Sequence, residues 1–136
     1  MKTGRTVVEA KRLGCYSVRP DALMVEAVRR LVDEDISCLV VTDADGFLVG
    51  VISRSDVLRC YLAHDDWAHQ PVAAYMTEHV VTVSPDDQLR HVADLLLEKR
   101  IHRVVAVRDE GGRRKPVAVV SDSDLVYHLM KDLEVG

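Results

Sequence analysis

The chain repeats itself. Slid along its own length by 65 residues, it pairs Ser17-Val18-Arg19-Pro20-Asp21 with Thr82-Val83-Ser84-Pro85-Asp86. Between Val18 and Asp43 this offset keeps six identities: Val18/Val83, Pro20/Pro85, Asp21/Asp86, Leu31/Leu96, Ile36/Ile101 and Val40/Val105. Apolar character agrees even where residues differ, since Met24, Val28, Leu31 and Val32 match Leu89, Ala93, Leu96 and Leu97 at the spacing of one helix face. After Asp43 the second copy carries three extra residues, within the polar, glycine-rich stretch Asp109-Glu110-Gly111-Gly112-Arg113-Arg114-Lys115, and the offset becomes 68. Val49-Gly50-Val51-Ile52-Ser53-Arg54-Ser55-Asp56 then faces Val117-Ala118-Val119-Val120-Ser121-Asp122-Ser123-Asp124, with five of the eight positions identical. A chain built this way folds as one small unit made twice. A unit of about 60 residues has a thin core of its own, so the two copies are expected to pack as a pseudo-two-fold pair.

Each copy has the same order of elements. A short strand at Ser17-Val18 (Thr82-Val83) passes through Pro-Asp, a helix start signal, into an amphipathic helix. A buried apolar strand, Leu39-Val40-Val41 (Val104-Val105-Ala106-Val107), leads to a turn at Asp45-Gly46 (Gly111-Gly112). A further strand, Leu48 to Ile52 (Pro116 to Val120), feeds a helix beginning near Asp56 (Asp124). Alternating strands and helices predict an α/β (α+β) class with small sheets. The reading divides the chain into repeat 1 at 1–62, a linker at 63–71 and repeat 2 at 72–133.

Composition narrows the function classes. With 136 residues, 48% apolar and 29% charged, the chain is neither a disordered tail nor a fibre. Eighteen Lys and Arg stand against 22 Asp and Glu, without a basic run, so no nucleic acid is expected as partner. The start Met1-Lys2-Thr3-Gly4-Arg5-Thr6 leads into only short apolar runs, which implies neither a signal peptide nor a membrane span. Cys15, Cys38 and Cys60 lack metal-type spacing and read as reduced, largely buried thiols, so the expected location is cytoplasmic.

The ordered series Met76-Thr77, Val81-Thr82-Val83-Ser84-Pro85-Asp86, Ile101-His102-Arg103-Val104-Val105 and Val117-Ala118-Val119-Val120-Ser121-Asp122-Ser123-Asp124 resembles a CBS domain, named for cystathionine β-synthase. The first copy resembles it through Val18-Arg19-Pro20-Asp21 and Gly50-Val51-Ile52-Ser53-Arg54-Ser55-Asp56. The likeness runs from about Thr6 to Lys131 and looks like a stand-alone CBS pair, or Bateman module. It implies β-α-β-β-α repeats packed sheet to sheet with pseudo-two-fold symmetry and two clefts between them. It further implies a regulatory module that binds an adenosine-containing ligand (AMP, ADP, ATP or S-adenosylmethionine), has no obligatory cofactor, forms a homodimer and signals to an unknown effector protein.

Two readings attach to the Ser-x-x-Asp elements. By spacing, Ser53-x-x-Asp56 and Ser121-x-x-Asp124 are helix capping boxes. By resemblance, each Asp would accept the two ribose hydroxyls of a nucleoside, and the Ser and the neighbouring helix N–H groups would face phosphate. The candidate binding residues are Ser53, Arg54, Asp56, His102, Arg103, Ser121 and Asp124. The copies are unequal. Copy 2 has Lys99, Arg100, His102 and Arg103 where copy 1 has Glu34, Asp35, Ser37 and Cys38, and Arg54 becomes Asp122. Asp124 as ribose anchor, with Arg54 facing it, is therefore expected to give the better phosphate site.

Other departures are Ala118 in place of Gly50, where a methyl would crowd a ligand, and Lys11-Arg12 in place of Met76-Thr77. Trp67, flanked by His64, Asp65, Asp66 and His69, reads as an aromatic anchor in a polar linker rather than a metal site. No nucleophile–base order or paired carboxylates suggest catalysis, so the chain is not expected to be an enzyme. The alternative to a sensor is a ligand-free dimerisation or scaffold module whose Ser-x-x-Asp elements only cap helices.

Overall fold

The computed structural model describes residues 5–11 and 14–135. Each repeat builds a three-stranded sheet. In the first, β1 (Ser17–Val18) runs parallel to β2 (Cys38–Thr42), and β3 (Leu48–Ser53) pairs antiparallel on the other side. The parallel pair requires a crossover, supplied by α2 (Met24–Asp33), and α3 (Arg54–Ala63) follows β3 directly. The second repeat runs β4 (Thr82–Val83), α4 (Leu89–Lys99), β5 (Arg103–Glu110), β6 (Arg113–Ser121) and α5 (Asp122–Val135), with sheet order β4-β5-β6. The class and the β-α-β-β-α order are those expected from the sequence. A four-residue helix, α1 (Val7–Ala10), and two 3₁₀ turns at Trp67–His69 and Val72–Ala74 complete the elements, none of them anticipated.

Duplication reaches the irregularities. Both hairpins carry a register shift at the same place, Val41/Thr42 and Ala106/Val107. Asp35 (φ 50°) and Arg100 (φ 56°) both sit in the left-handed region just past the first helix of their repeat. Arg100, considered above among the basic residues of copy 2, is thus the C-cap of α4. The three extra residues lengthen only the second hairpin, where Asp109 pairs with Arg114 and Glu110 with Arg113 across the ladder. Gly111 and Gly112 close it with φ of 62° and 83°, values that side chains rarely adopt.

Two compact units result, and their boundaries are not those of the sequence repeats. One holds Cys15–Val80, and the other joins the described residues of Met1–Gly14 to those of Val81–Gly136. Each repeat's leading segment is packed with the other repeat. Val7 stands 65 residues before Val72. Val7 is buried among Val83, Val92, Leu96, Val104 and Val120, and Val72 among Met24, Leu31, Leu39, Val41 and Ile52. Burying one such valine stabilises by about 1.5–3 kcal/mol. Backbone bonds hold both exchanges: Val7 N–H donates to the Asp87 carbonyl at 2.9 Å, and Val72 N–H to the Ala22 carbonyl at 2.9 Å.

Candidate functional site

In the unit containing β5 and β6, the ladder register sets Arg103 opposite Ser121, where β6 turns into α5. The Asp122 N–H donates to the His102 carbonyl at 2.9 Å, so five residues singled out from the sequence or beside them (His102, Arg103, Ser121, Asp122 and Asp124) meet at one end of this sheet. Ser121 and Asp124 cap α5 reciprocally. Asp124 N–H donates to Ser121 Oγ at 3.2 Å, and Asp124 Oδ2 accepts from Ser121 N–H at 2.8 Å and Ser121 Oγ at 3.1 Å. Oδ2 also takes the Lys11 ammonium at 2.8 Å, in an ion pair whose two side chains are 29% and 30% exposed. Oδ1 accepts no hydrogen bond from a described residue. Burial alone raises the Asp124 pKa, but the Lys11 and Ser121 donors outweigh it and hold the carboxyl below its ordinary range. Exposed His102 lies 3.0 Å from Asp122 Oδ2 through Nδ1 and, as the largest cause, lowers the Asp122 pKa.

The equivalent carboxylate in the other unit is differently placed. Ser53 and Asp56 cap α3 in the same reciprocal way, with Asp56 Oδ2 accepting from Ser53 N–H at 2.8 Å and from Ser53 Oγ at 2.9 Å. Asp56 is fully buried. Its Oδ1 is engaged as well, by the Arg59 guanidinium one turn along α3 and by Thr77 Oγ1 at 3.4 Å. Arg54, in this same unit, is exposed and stands 3.8 Å from Asp35.

The CBS domain profile matches residues 10–63 and again 72–131. The chain belongs to the CBS domain family. Among solved CBS structures, CBSX2 in complex with AMP aligns with a TM-score of 0.80 and 25% identity, covering 94% of this chain and 98% of that one. The CBS domain pair of protein MJ0100, in complex with 5′-methylthioadenosine and S-adenosyl-L-methionine, aligns at 0.83 and 24%, covering 94% and 98%. A curated relative, an uncharacterised 17.7 kDa protein of Acidianus ambivalens, is 27% identical over 115 residues, 85% of this chain and 67% of its own length. The chain spans 44% of the transcriptional repressor CcpN of Bacillus subtilis and 22% of an inosine-5′-monophosphate dehydrogenase of Nitrosopumilus maritimus.

Lys11, Arg59 and Thr77 are the site residues that the sequence reading missed. Arg59 was legible as a cation three residues after Asp56, where the second repeat has Tyr127 after Asp124. Lys11 and Thr77 stood out only as part of a difference between the copies, and their reach to the carboxylates was hidden because each belongs to a leading segment that packs with the other repeat. Gly50 also has a different reason from the one expected. A Cβ there would sit 2.9 Å from the Thr77 carbonyl oxygen and 3.1 Å from Met76 Sδ, so what approaches it closely is the chain itself. Of the cysteines, Cys38 and Cys60 are buried and Cys15 is part-buried, and none of the three forms a disulfide; burial pushes the Cys15 and Cys60 thiols up. In the linker, Trp67 packs edge-on to Tyr61 and against the core, His64 packs on Tyr75, and His69 pairs with Asp66 at 2.6 Å. Among the described residues no helix is long and apolar enough to cross a membrane.

Proposed function

We propose that this CBS pair is a regulatory module that binds an adenosine-containing ligand at the Asp124 end of its unit and passes the signal to an effector protein. The observation carrying this reading is the contrast between two identical motifs. Asp56 is sealed and has both oxygens engaged, whereas part-exposed Asp124 holds Lys11 on Oδ2, accepts no hydrogen bond at Oδ1 from a described residue, and caps a helix whose first residues lie across the ladder from His102 and Arg103. A carboxylate oxygen open to a ribose hydroxyl at a helix N-terminus, with cations at hand, suits a nucleotide. The AMP complex of CBSX2 lends support from a relative. AMP, ADP, ATP and S-adenosylmethionine are the candidates, with cytoplasmic action and no catalysis.

Thermal-shift titration with these four ligands and NAD, repeated on Asp124→Ala and Asp56→Ala, tests the proposal. A ligand at a hundredfold excess over Kd stabilises by about 2.7 kcal/mol. That gain should disappear in Asp124→Ala and persist in Asp56→Ala; no stabilisation by any of the five at millimolar concentration overturns the reading.

The scaffold alternative is favoured by a separate feature. Val32, Leu58, Tyr61 and Leu62 are exposed on one unit, and their repeat equivalents Leu97, Val126, Leu129 and Met130 on the other. Apolar positions kept outside the core in both copies suit a surface covered by a partner, and a second copy of this chain is the proposed one. Under the scaffold reading, Asp124→Asn would lower stability with no ligand binding to lose.

A further inference from the structure

The Asp124 carboxylate already has company. Its Oδ2 accepts three donors, Ser121 N–H at 2.8 Å, Ser121 Oγ at 3.1 Å and Lys11 Nζ at 2.8 Å, while Oδ1 accepts none among the described residues. A carboxylate offers about four acceptor positions, two on each oxygen. A vicinal diol that engages both oxygens therefore needs a place on Oδ2, and the two Ser121 donors are fixed by the helix cap. Lys11 is the donor that can leave. Its side chain is only 29% exposed, so an ammonium parted from Asp124 loses its counter-charge in a partly desolvated place.

Lys11 is also peculiar to this copy. At the offset of 65 it occupies the position of Met76, which cannot pair with a carboxylate. It lies one turn of chain beyond Val7, which is buried in the core, and Arg5 is anchored to Asp132 at 2.7 Å, so the segment carrying Lys11 is held against α5 and the ion pair with Asp124 is what a ligand has to open.

Resting on the nucleoside reading above, we propose that Lys11 is a specificity-determining latch on the Asp124 site, closing it to neutral nucleosides and yielding to those whose anionic group takes its ammonium. A neutral nucleoside displaces Lys11 and leaves the charge unpaired. A nucleoside monophosphate displaces it and offers a phosphate in exchange, a charge-assisted bond for the one lost. The discrimination comes from the penalty on the wrong ligand.

Isothermal titration of the full chain with adenosine and with AMP tests this. The proteins are the wild type, Lys11→Met (the residue of the other repeat), Lys11→Gln (uncharged, one atom shorter, and still a hydrogen-bond donor) and Asp124→Asn, each checked for its thermal transition. The wild type is expected to bind AMP at least about tenfold more tightly than adenosine. Both Lys11 variants should tighten adenosine and cut that ratio by at least about fivefold. An unchanged ratio in both variants, with Asp124→Asn abolishing AMP binding, overturns the latch and leaves the nucleoside reading standing. Equal weakening of both ligands also overturns it, since Lys11 would then serve only the fold. No binding of either ligand by any of the four proteins overturns the latch, and the nucleoside reading is then decided by the five-ligand thermal-shift titration above.

Discussion

Thr77 and Val51 bond to each other in both directions, the Thr77 N–H reaching the Val51 carbonyl at 2.8 Å and the Val51 N–H the Thr77 carbonyl at 3.0 Å. This bridge draws the leading segment of the second repeat onto β3 of the first, and brings the Thr77 carbonyl so close to Gly50 that a methyl there would stand 2.9 Å from it. Gly50→Ala therefore forces the bridge apart and is expected to lower stability by about 1–3 kcal/mol, as overpacking does. Ala118, at the equivalent place, is buried and tolerated. Urea denaturation of Gly50→Ala checks the first point, and a midpoint equal to wild type would show that the bridge yields at no cost.

The two capping carboxylates predict unequal costs from equal mutations. Asp56→Ala removes a fully buried group that satisfies Ser53 N–H, Ser53 Oγ, Arg59 and Thr77. Leaving those donors without their partner should cost about 2–4 kcal/mol. Asp124→Ala loses a cap that water partly replaces, about 1 kcal/mol. Denaturant midpoints of the two variants decide, and equal losses would mean that burial does not separate the two sites.

Much of this is legible in the sequence. The period of 65, the helical spacing at Met24 and Leu31, and Pro-Asp and Gly-Gly punctuation are local signals, and they located the sheets and helices closely. The Ser-x-x-Asp elements located both caps. The exchange of leading segments was not readable, because Val7 and Val72 are apolar in either arrangement and choose their core by tertiary fit. The unequal openness of Asp56 and Asp124 was hidden for the same reason, since Thr77 and Lys11 reach those carboxylates through that exchange. Apolar spacing also failed to separate inside from outside: Val32 and Leu97 continue the helical stripe of Leu31 and Leu96 yet lie exposed.

The lowered Asp124 pKa makes a statement about acid stability. A carboxylate whose folded pKa lies below its unfolded value of about 3.9 contributes stability that is present above that value and lost as pH falls through the folded pKa. Lys11 is one of the causes of the lowering. The wild type should therefore exceed Lys11→Met in urea midpoint at pH 6, and the gap should narrow toward pH 3. A gap of constant size would assign the lysine's contribution to packing rather than to charge.

Leu62 and Leu97 are 83% and 82% exposed, each on the apolar face of its own unit. Large apolar side chains left in water are costly unless something covers them, and covering one recovers about 1.5–3 kcal/mol. If a second copy covers these faces, a charge placed there must be desolvated on association and should oppose it strongly. Leu62→Glu and Leu97→Glu are surface substitutions with little to disturb in the monomer, so their thermal transitions should stay near the wild type's at low concentration. Sedimentation equilibrium should give a dimer for wild type and, for the double variant, a dissociation constant raised by at least about a hundredfold, the equivalent of 2.7 kcal/mol. A wild type that stays monomeric at 100 µM, or a double variant that dimerises as tightly as wild type, removes a second copy as the partner of these faces.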